Sequence, residues 1–293
     1  MYSWKLFQRI KRDILNSPIY WHEVGYAPVW QGAAARVARS ATMRYVLAGT
    51  VGLTLILGTM TVNSPVFACL VPLVVLLVVT GLTLGPTIAR ERAHQTWILL
   101  QIMPSGVESV LLDKLVGALS WIQGLLVFMG MLLVVGALGT GLLSLLLLPT
   151  GRGLTPDLPD TVLCGWLLIL PTATAALFVV DRVQQYMLAV IVALATSATT
   201  RSITAGLFWT TLAVVGTWVL EAAITVVVLL AQPGGTDLAN RTLLLVIATF
   251  GPLPSYMLGI DSAGRVVLLI AATLIVRDLL IGFMWRLAVR RAQ

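Results

Sequence analysis

Residues 71–85 read VPLVVLLVVTGLTLG, and this run decides the fold. No charge interrupts it, and apolar and polar residues do not alternate, so it is not a strand of a transmembrane barrel, which alternates over about ten positions. The wider window 66–88 is long enough for a helix to cross ~30 Å of hydrocarbon at about 1.5 Å per residue. The same texture recurs along the chain. Of its 293 residues 58% are hydrophobic and 11% charged, against roughly a quarter charged in soluble domains. The expected fold class is an all-α integral membrane protein, one transmembrane domain over residues 1–293.

Helical spans are expected at 45–62, 66–88, 115–148 and 203–231, with a last one near 264–285. Two further apolar runs, 162–180 and 187–200, flank DRVQQY; either one crosses alone or the two form a pair. Residues 243–258, LLLVIATFGPLPSYML, are short and broken by Pro252 and Pro254, which predicts a re-entrant or half-crossing piece. The net charge of +7 reads as topology rather than as a nucleic-acid footprint, because the basic residues sit at the ends of apolar spans. Lys5, Arg9, Lys11, Arg12, Arg36, Arg39 and Arg44 precede the first span, and Arg286, Arg290 and Arg291 follow the last. Positive residues stay inside, so both termini are expected in the cytoplasm and the number of crossings is even. Six is the favoured count, eight the other, with the leftover apolar pieces re-entrant or interfacial. The loops 63–65, 149–160 and 232–241 then face outside, carrying only Arg152 and Arg241.

Residues 1–44 are expected to form a cytoplasmic or interfacial segment rather than a cleavable signal, because about forty polar or amphipathic residues precede the first apolar run. It begins with WKLFQRIKRDIL (4–15), whose apolar and basic faces suit a helix lying on the leaflet and touching membrane lipid.

Signatures of chemistry are missing. No G-x-x-x-x-G-K-[ST] loop is present, so ATP hydrolysis is expected in a separate chain. His22 and Glu23 begin an H-E pair, but Tyr26 stands where a zinc peptidase needs its second His. No G-x-S-x-G occurs. His22 and His94 read as interfacial polar residues, and Cys69 and Cys164 as packing residues without metal-ligand spacing. No catalytic residue, metal or cofactor is expected, and no nucleic-acid partner.

Charges within apolar spans carry the functional interest. Glu221 faces a substrate path, sits near the outer headgroups or meets another chain. Asp181 with Arg182, and Arg277 with Asp278, are adjacent opposite charges about 100° apart on a helix. Such pairs need not satisfy themselves, and they mark helix ends at the interface or contacts to a partner subunit. Gly136, Ala137, Thr140 and Gly141 have the small-residue spacing of close helix packing, weak support for an oligomer.

Residues 89–117, ARERAHQTWILLQIMPSGVESVLLDKLVG, interrupt this pattern with a charged elbow. A short helix ends at Pro104, because the residue before a proline avoids the α region. Ser105 and Glu108 then spell the S-x-x-E capping box of a new helix running into the third span. A capped corner joined to two spans reads either as an ordinary capped loop or as a lever, in which a push at the corner moves both.

The stretch resembles the signature of type-2 ATP-binding-cassette (ABC) exporter permeases. The matching residues are the charged cluster Arg90, Glu91 and Arg92, then Gln95, Thr96 and Trp97, then Leu99 and Leu100, the corner Pro104 and Ser105, and Glu108, Lys114 and Leu115. Asn16, Pro18 and Glu23 resemble the Asn-Pro-(x)-Glu motif before the first span, and SATTRSITA around Arg201 is similar to a Ser-(x)-Arg-Ser-(x)-Ala stretch between later spans. Departures fall at His94, at Gln95 in a glycine position, at Met103 where Thr is common, and at Asp113 in another glycine position.

The resemblance implies a permease domain in the bacterial cytoplasmic (inner) membrane, with residues 89–114 as the coupling-helix elbow docked in a groove of an ATP-binding-cassette ATPase subunit. It also implies a second permease chain, identical or homologous. Glu91 and Glu108 would supply charge contacts and caps at the ATPase face, and Trp97 and Leu100 its apolar plug. The substrate is not named by the sequence. The departures at Gln95 and Asp113 leave room for another reading, a permease-like scaffold or accessory subunit of a larger membrane complex without transport.

Overall fold

The computed structural model describes residues 66–93, 95–101, 106–120, 122–147, 160–231, 251–253 and 263–293, together with Gln8 and Gly49. The expected interfacial helix at 4–15 and first span at 45–62, with Asn16, Pro18, Glu23, His94, Pro104 and Ser105, lie outside the described residues.

Seven helices make up the described chain: α1 Val66–Ala93, α2 Trp97–Gln101, α3 Gly106–Ser120, α4 Gln123–Leu147, α5 Asp160–Thr199, α6 Ile203–Leu230 and α7 Ala263–Ala292. No strand occurs among them. Four contain stretches long and apolar enough to cross a membrane, Pro72–Arg92, Pro171–Thr199, Ile203–Leu230 and Arg265–Ala292. The architecture is that of an α-helical membrane protein.

The apolar runs on either side of 181–186 are successive turns of one helix, α5. DRVQQY contains neither glycine nor proline, and Arg and Gln are good helix formers. Its forty residues span about 60 Å, twice the hydrocarbon thickness. Asp181 and Arg182 therefore do not mark a helix end at the interface. The run expected as one span at 115–148 is instead divided, with α3 stopping at Ser120 and α4 starting at Gln123. Ser120 and Gly124 flank the turn, and helices kink at such residues.

α1 and α5 form the centre of the bundle, with half of their apolar windows buried, whereas α6 and α7 turn most of their surface outwards. α1 crosses α6 at glycine. A Cβ on Gly85 would come within 2.8 Å of the Gly206 carbonyl oxygen, and one on Gly206 within 2.6 Å of the Gly85 oxygen, so backbone rests on backbone. Ser197 at the end of α5 donates to that same Gly85 oxygen at 2.9 Å, joining a third helix to the crossing. α4 meets α5 in a similar way, Gly141 lying against the Pro171 carbonyl, while Ala137 is buried with Phe178. Both residues pack within the chain, so their small size is already used without an oligomer.

The largest core cluster lies near the elbow, among Leu84, Ile88, Trp97, Leu111, Leu115, Ile191, Ile281 and Trp285. α3 contributes Val110, Leu111, Leu112 and Leu115 to it, all buried. The second limb of the elbow is thus packed into the bundle rather than standing clear of it, because this stretch is too apolar to face water.

Candidate functional site

Two places bring the sequence candidates together. The first is the elbow. α1 ends in a Schellman turn: the Thr96 amide donates to the Glu91 carbonyl at 3.0 Å and the Gln95 amide to the Arg92 carbonyl at 3.1 Å. The turn requires a left-handed residue, and Gln95 supplies it at φ 59°. A residue with a side chain thus holds a bend for which glycine is the usual choice.

Glu91 then becomes the clasp between the two limbs. One carboxylate oxygen accepts from the Thr96 hydroxyl and the other from Lys114 Nζ on α3. Both partners lie within the chain. The C-terminus closes the other side: Trp97 Nε1 donates to the Ala292 carbonyl at 2.9 Å, Arg92 Nη2 to the Arg291 carbonyl at 3.0 Å, and Trp285 Nε1 to Glu108 Oε1 at 3.2 Å. These carbonyls belong to the last turn of α7, where helical partners run out.

Trp97 is therefore folded inwards, 5% exposed, and the apolar surface α2 offers to a partner is Ile98 and Leu99, 65% and 60% exposed. Arg90 and Gln95 are exposed beside them, while Lys114 is buried. The Leu100 side chain lies outside the described ones.

The second place lies deep in the bundle. Asp181 and Glu221 each stand eighteen residues from the elbow ends of their helices, Thr199 and Ile203, about 27 Å along the axis. Between them sits Arg277 of α7. Its Nη1 donates to Asp181 Oδ1 at 2.7 Å and to the Asp181 carbonyl at 2.8 Å, and its Nε to Glu221 Oε1 at 2.7 Å. Arg182 adds its Nε and Nη2 to Asp181 Oδ2 at 3.1 and 2.7 Å, and Gln185 Nε2 donates to Glu221 Oε2 at 2.5 Å. Two acids and two bases thus join α5, α6 and α7 with no net charge, which is what permits their burial.

These ion pairs form within one chain, so neither Asp181, Arg182, Arg277 nor Glu221 is held by a partner subunit for want of a counter-charge. The pairing escaped the sequence reading because it spans 96 residues from Asp181 to Arg277 and 56 from Glu221 to Arg277. The signal present was the mixture itself: acids and bases of both signs stranded in the apolar runs of three separate helices. Another missed signal was Gly81-x-x-x-Gly85, a small-residue pattern that places α1 against α6.

Arg182 is only partly satisfied. Its Nη1 is buried and has no hydrogen-bond partner, a condition that costs roughly 1–3 kcal/mol. It lies against Gly251, the sole described stretch of 243–258 being Gly251–Leu253, where a Cβ would come 1.5 Å from Arg182 Nη2. Arg182 also lines a cavity of about 340 Å³ together with Gln185, Tyr186 and Glu221, and with leucines and methionine of α1 and α4. Among the described residues no cluster of His, Cys, Asp and Glu has the makings of a metal site.

No protein-family model matches this chain, and no curated protein or solved structure matches it either.

Proposed function

We propose that the chain is the membrane-spanning permease subunit of an ABC exporter, crossing the bacterial inner membrane six times with both termini in the cytoplasm. A second permease chain and two separate ATPase subunits complete the assembly. The observation that carries this reading is the elbow. α1 and α3 are tied through Glu91 and Lys114, the C-terminus is tied to Trp97 and Arg92, and two large apolar side chains, Ile98 and Leu99, remain turned outwards on the short helix between them.

A docking helix needs this combination. The exposed pair supplies the contact, since burying a Leu or Ile side chain contributes about 1.5–3 kcal/mol. The internal ties make the contact useful, because a displacement of α2 moves α1, α3 and α7 together instead of bending a loop. In this reading Glu91, Lys114 and Trp97 transmit, Ile98 and Leu99 receive, and no residue of the chain performs chemistry on ATP.

The test is affinity purification of the chain from its native membrane. A soluble ATPase is expected in equal amount, and Ile98→Glu with Leu99→Glu lowers its recovery roughly tenfold or more, the scale of losing an interface hot spot. Recovery of cofactor-bearing membrane subunits with no ATPase, or an ATPase that stays bound to the double variant, overturns the proposal. The first of those results would favour the scaffold reading.

A further inference from the structure

We propose that the cavity between α1, α4, α5 and α6 is a binding site for a single-chain amphiphile with one acidic head, a carboxylate or a phosphate monoester. Arg182 holds the head, and the apolar chain lies along Leu73, Leu77, Met129 and Leu133. The inference stands apart from the exporter reading, since it rests on the cavity alone.

The polar wall decides the head. Asp181 is shared between two guanidinium groups, giving Oδ1 to Arg277 and Oδ2 to Arg182. Glu221 is engaged by Arg277 on one oxygen and by Gln185 on the other. Arg277 thus has two carboxylates and Arg182 has half of one, so the positive charge of Arg182 is the least matched of the four. Its side chain is 10% exposed, it lines the cavity, and its Nη1 lacks a partner. A guanidinium on the cavity wall that shares its one carboxylate with a second arginine calls for an acceptor, and an anionic acceptor makes the stronger, charge-assisted bond.

The other wall decides the body. The opposing lining comes from α1 and α4 and is apolar, and at about 340 Å³ the cavity falls at the small end of the ~300–1,000 Å³ of ligand sites. One chain fits this volume better than the two of a bilayer phospholipid. Gly130 lies on that wall, and a Cβ there would meet nothing within 4 Å.

The experiment uses the whole chain in nanodiscs of phosphatidylcholine, titrated with brominated stearic acid. Bromine quenches nearby indole fluorescence, and Trp218 lines the cavity; subtraction of the Trp218→Phe trace isolates its signal. Saturable quenching of Trp218 is expected, with affinity at least tenfold weaker in Arg182→Gln and for the brominated methyl ester, which lacks the charge. Gly130→Leu fills the open wall without touching the charge cluster and should also weaken binding tenfold. Competition by single-chain lysophosphatidic acid assigns the head: displacement at lower concentration than stearic acid marks phosphate, the reverse marks carboxylate. Quenching that does not saturate, equal binding of acid and ester, or undiminished affinity in Gly130→Leu overturns the proposal, the last even if Arg182→Gln fails to fold.

Discussion

The elbow and the deep charge cluster are built from the same parts, an acid bridging to a base on another helix, yet they sit in different surroundings. Glu91 is 19% exposed and its partner Lys114 only twenty-three residues away. Arg277 and Asp181 are each 2% exposed, with only Glu221 as open as Glu91, and the carboxylates on Arg277 come from helices 56 and 96 residues distant. Where water reaches one partner, as at Glu91 and at Glu221, that carboxylate keeps part of its hydration. Where it does not, each charge has lost its hydration and depends on the protein for replacement. The elbow charges therefore shape a corner, while the deep charges decide whether α5, α6 and α7 stay together at all.

The strongest way to break this comparison is Arg277→Ala, which leaves two carboxylates to the single guanidinium of Arg182 and so one buried negative charge uncompensated. A loss of about 3–5 kcal/mol is expected, read as a shift in the unfolding midpoint in mixed micelles. The double variant Arg277→Met, Glu221→Gln leaves Asp181 and Arg182 as a neutral pair and should recover most of that loss. If Arg277→Ala costs no more than Lys114→Met, whose partner Glu91 keeps Thr96 and some water, depth is not what separates the two regions.

Gly251 sharpens the deep side. It stands at φ +72°, where a side chain costs roughly 1–3 kcal/mol from the backbone alone, and its Cβ would collide with the Arg182 guanidinium. Gly251→Ala is expected to exceed that figure and, by displacing Arg182, to loosen the contact of Leu253 with Ala137 and Phe178. Protection of the α4–α5 amides from hydrogen exchange should fall in this variant. Unchanged protection would mean that the 251–253 backbone yields instead of the arginine.

How far the sequence could be read follows from the same contrast. Helical spans were legible from apolar length, because a helix satisfies its own backbone and needs only local composition. The two short helices of the elbow were legible too, since their apolar and charged residues lie within thirty positions, while the corner expected at Pro104 and Ser105 lies outside the described residues. The course of α5 through Asp181 and Arg182 was not, because a charged pair in an apolar run looks the same whether it ends a helix at the headgroups or meets an arginine from elsewhere. Glu221 and Arg277 were each noticeable alone, and only the fold makes them partners. The inward turn of Trp97 was hidden for a related reason: its hydrogen-bond acceptor is the carbonyl of Ala292, almost two hundred residues on.

The smallest effect belongs to the elbow, and its sign is opposite to that at Gly251. Gln95 occupies the same left-handed backbone region, φ 59°, with a side chain attached. Holding an ordinary residue there costs about 1–2 kcal/mol, while glycine costs about 0.5–1 kcal/mol more in unfolded-chain entropy. Gln95→Gly should therefore stabilise the fold by roughly 0.5–1 kcal/mol, since relief of the left-handed strain outweighs the entropy. Gln95 is exposed, so little packing is lost to obscure the measurement. The Schellman bonds to Glu91 and Arg92 do not involve its side chain, so the clasp stays in place. A gain at the elbow beside a loss at Gly251 would show one backbone requirement met by two different residues; a loss at both would mean that the Gln95 side chain holds a contact worth more than the strain it causes.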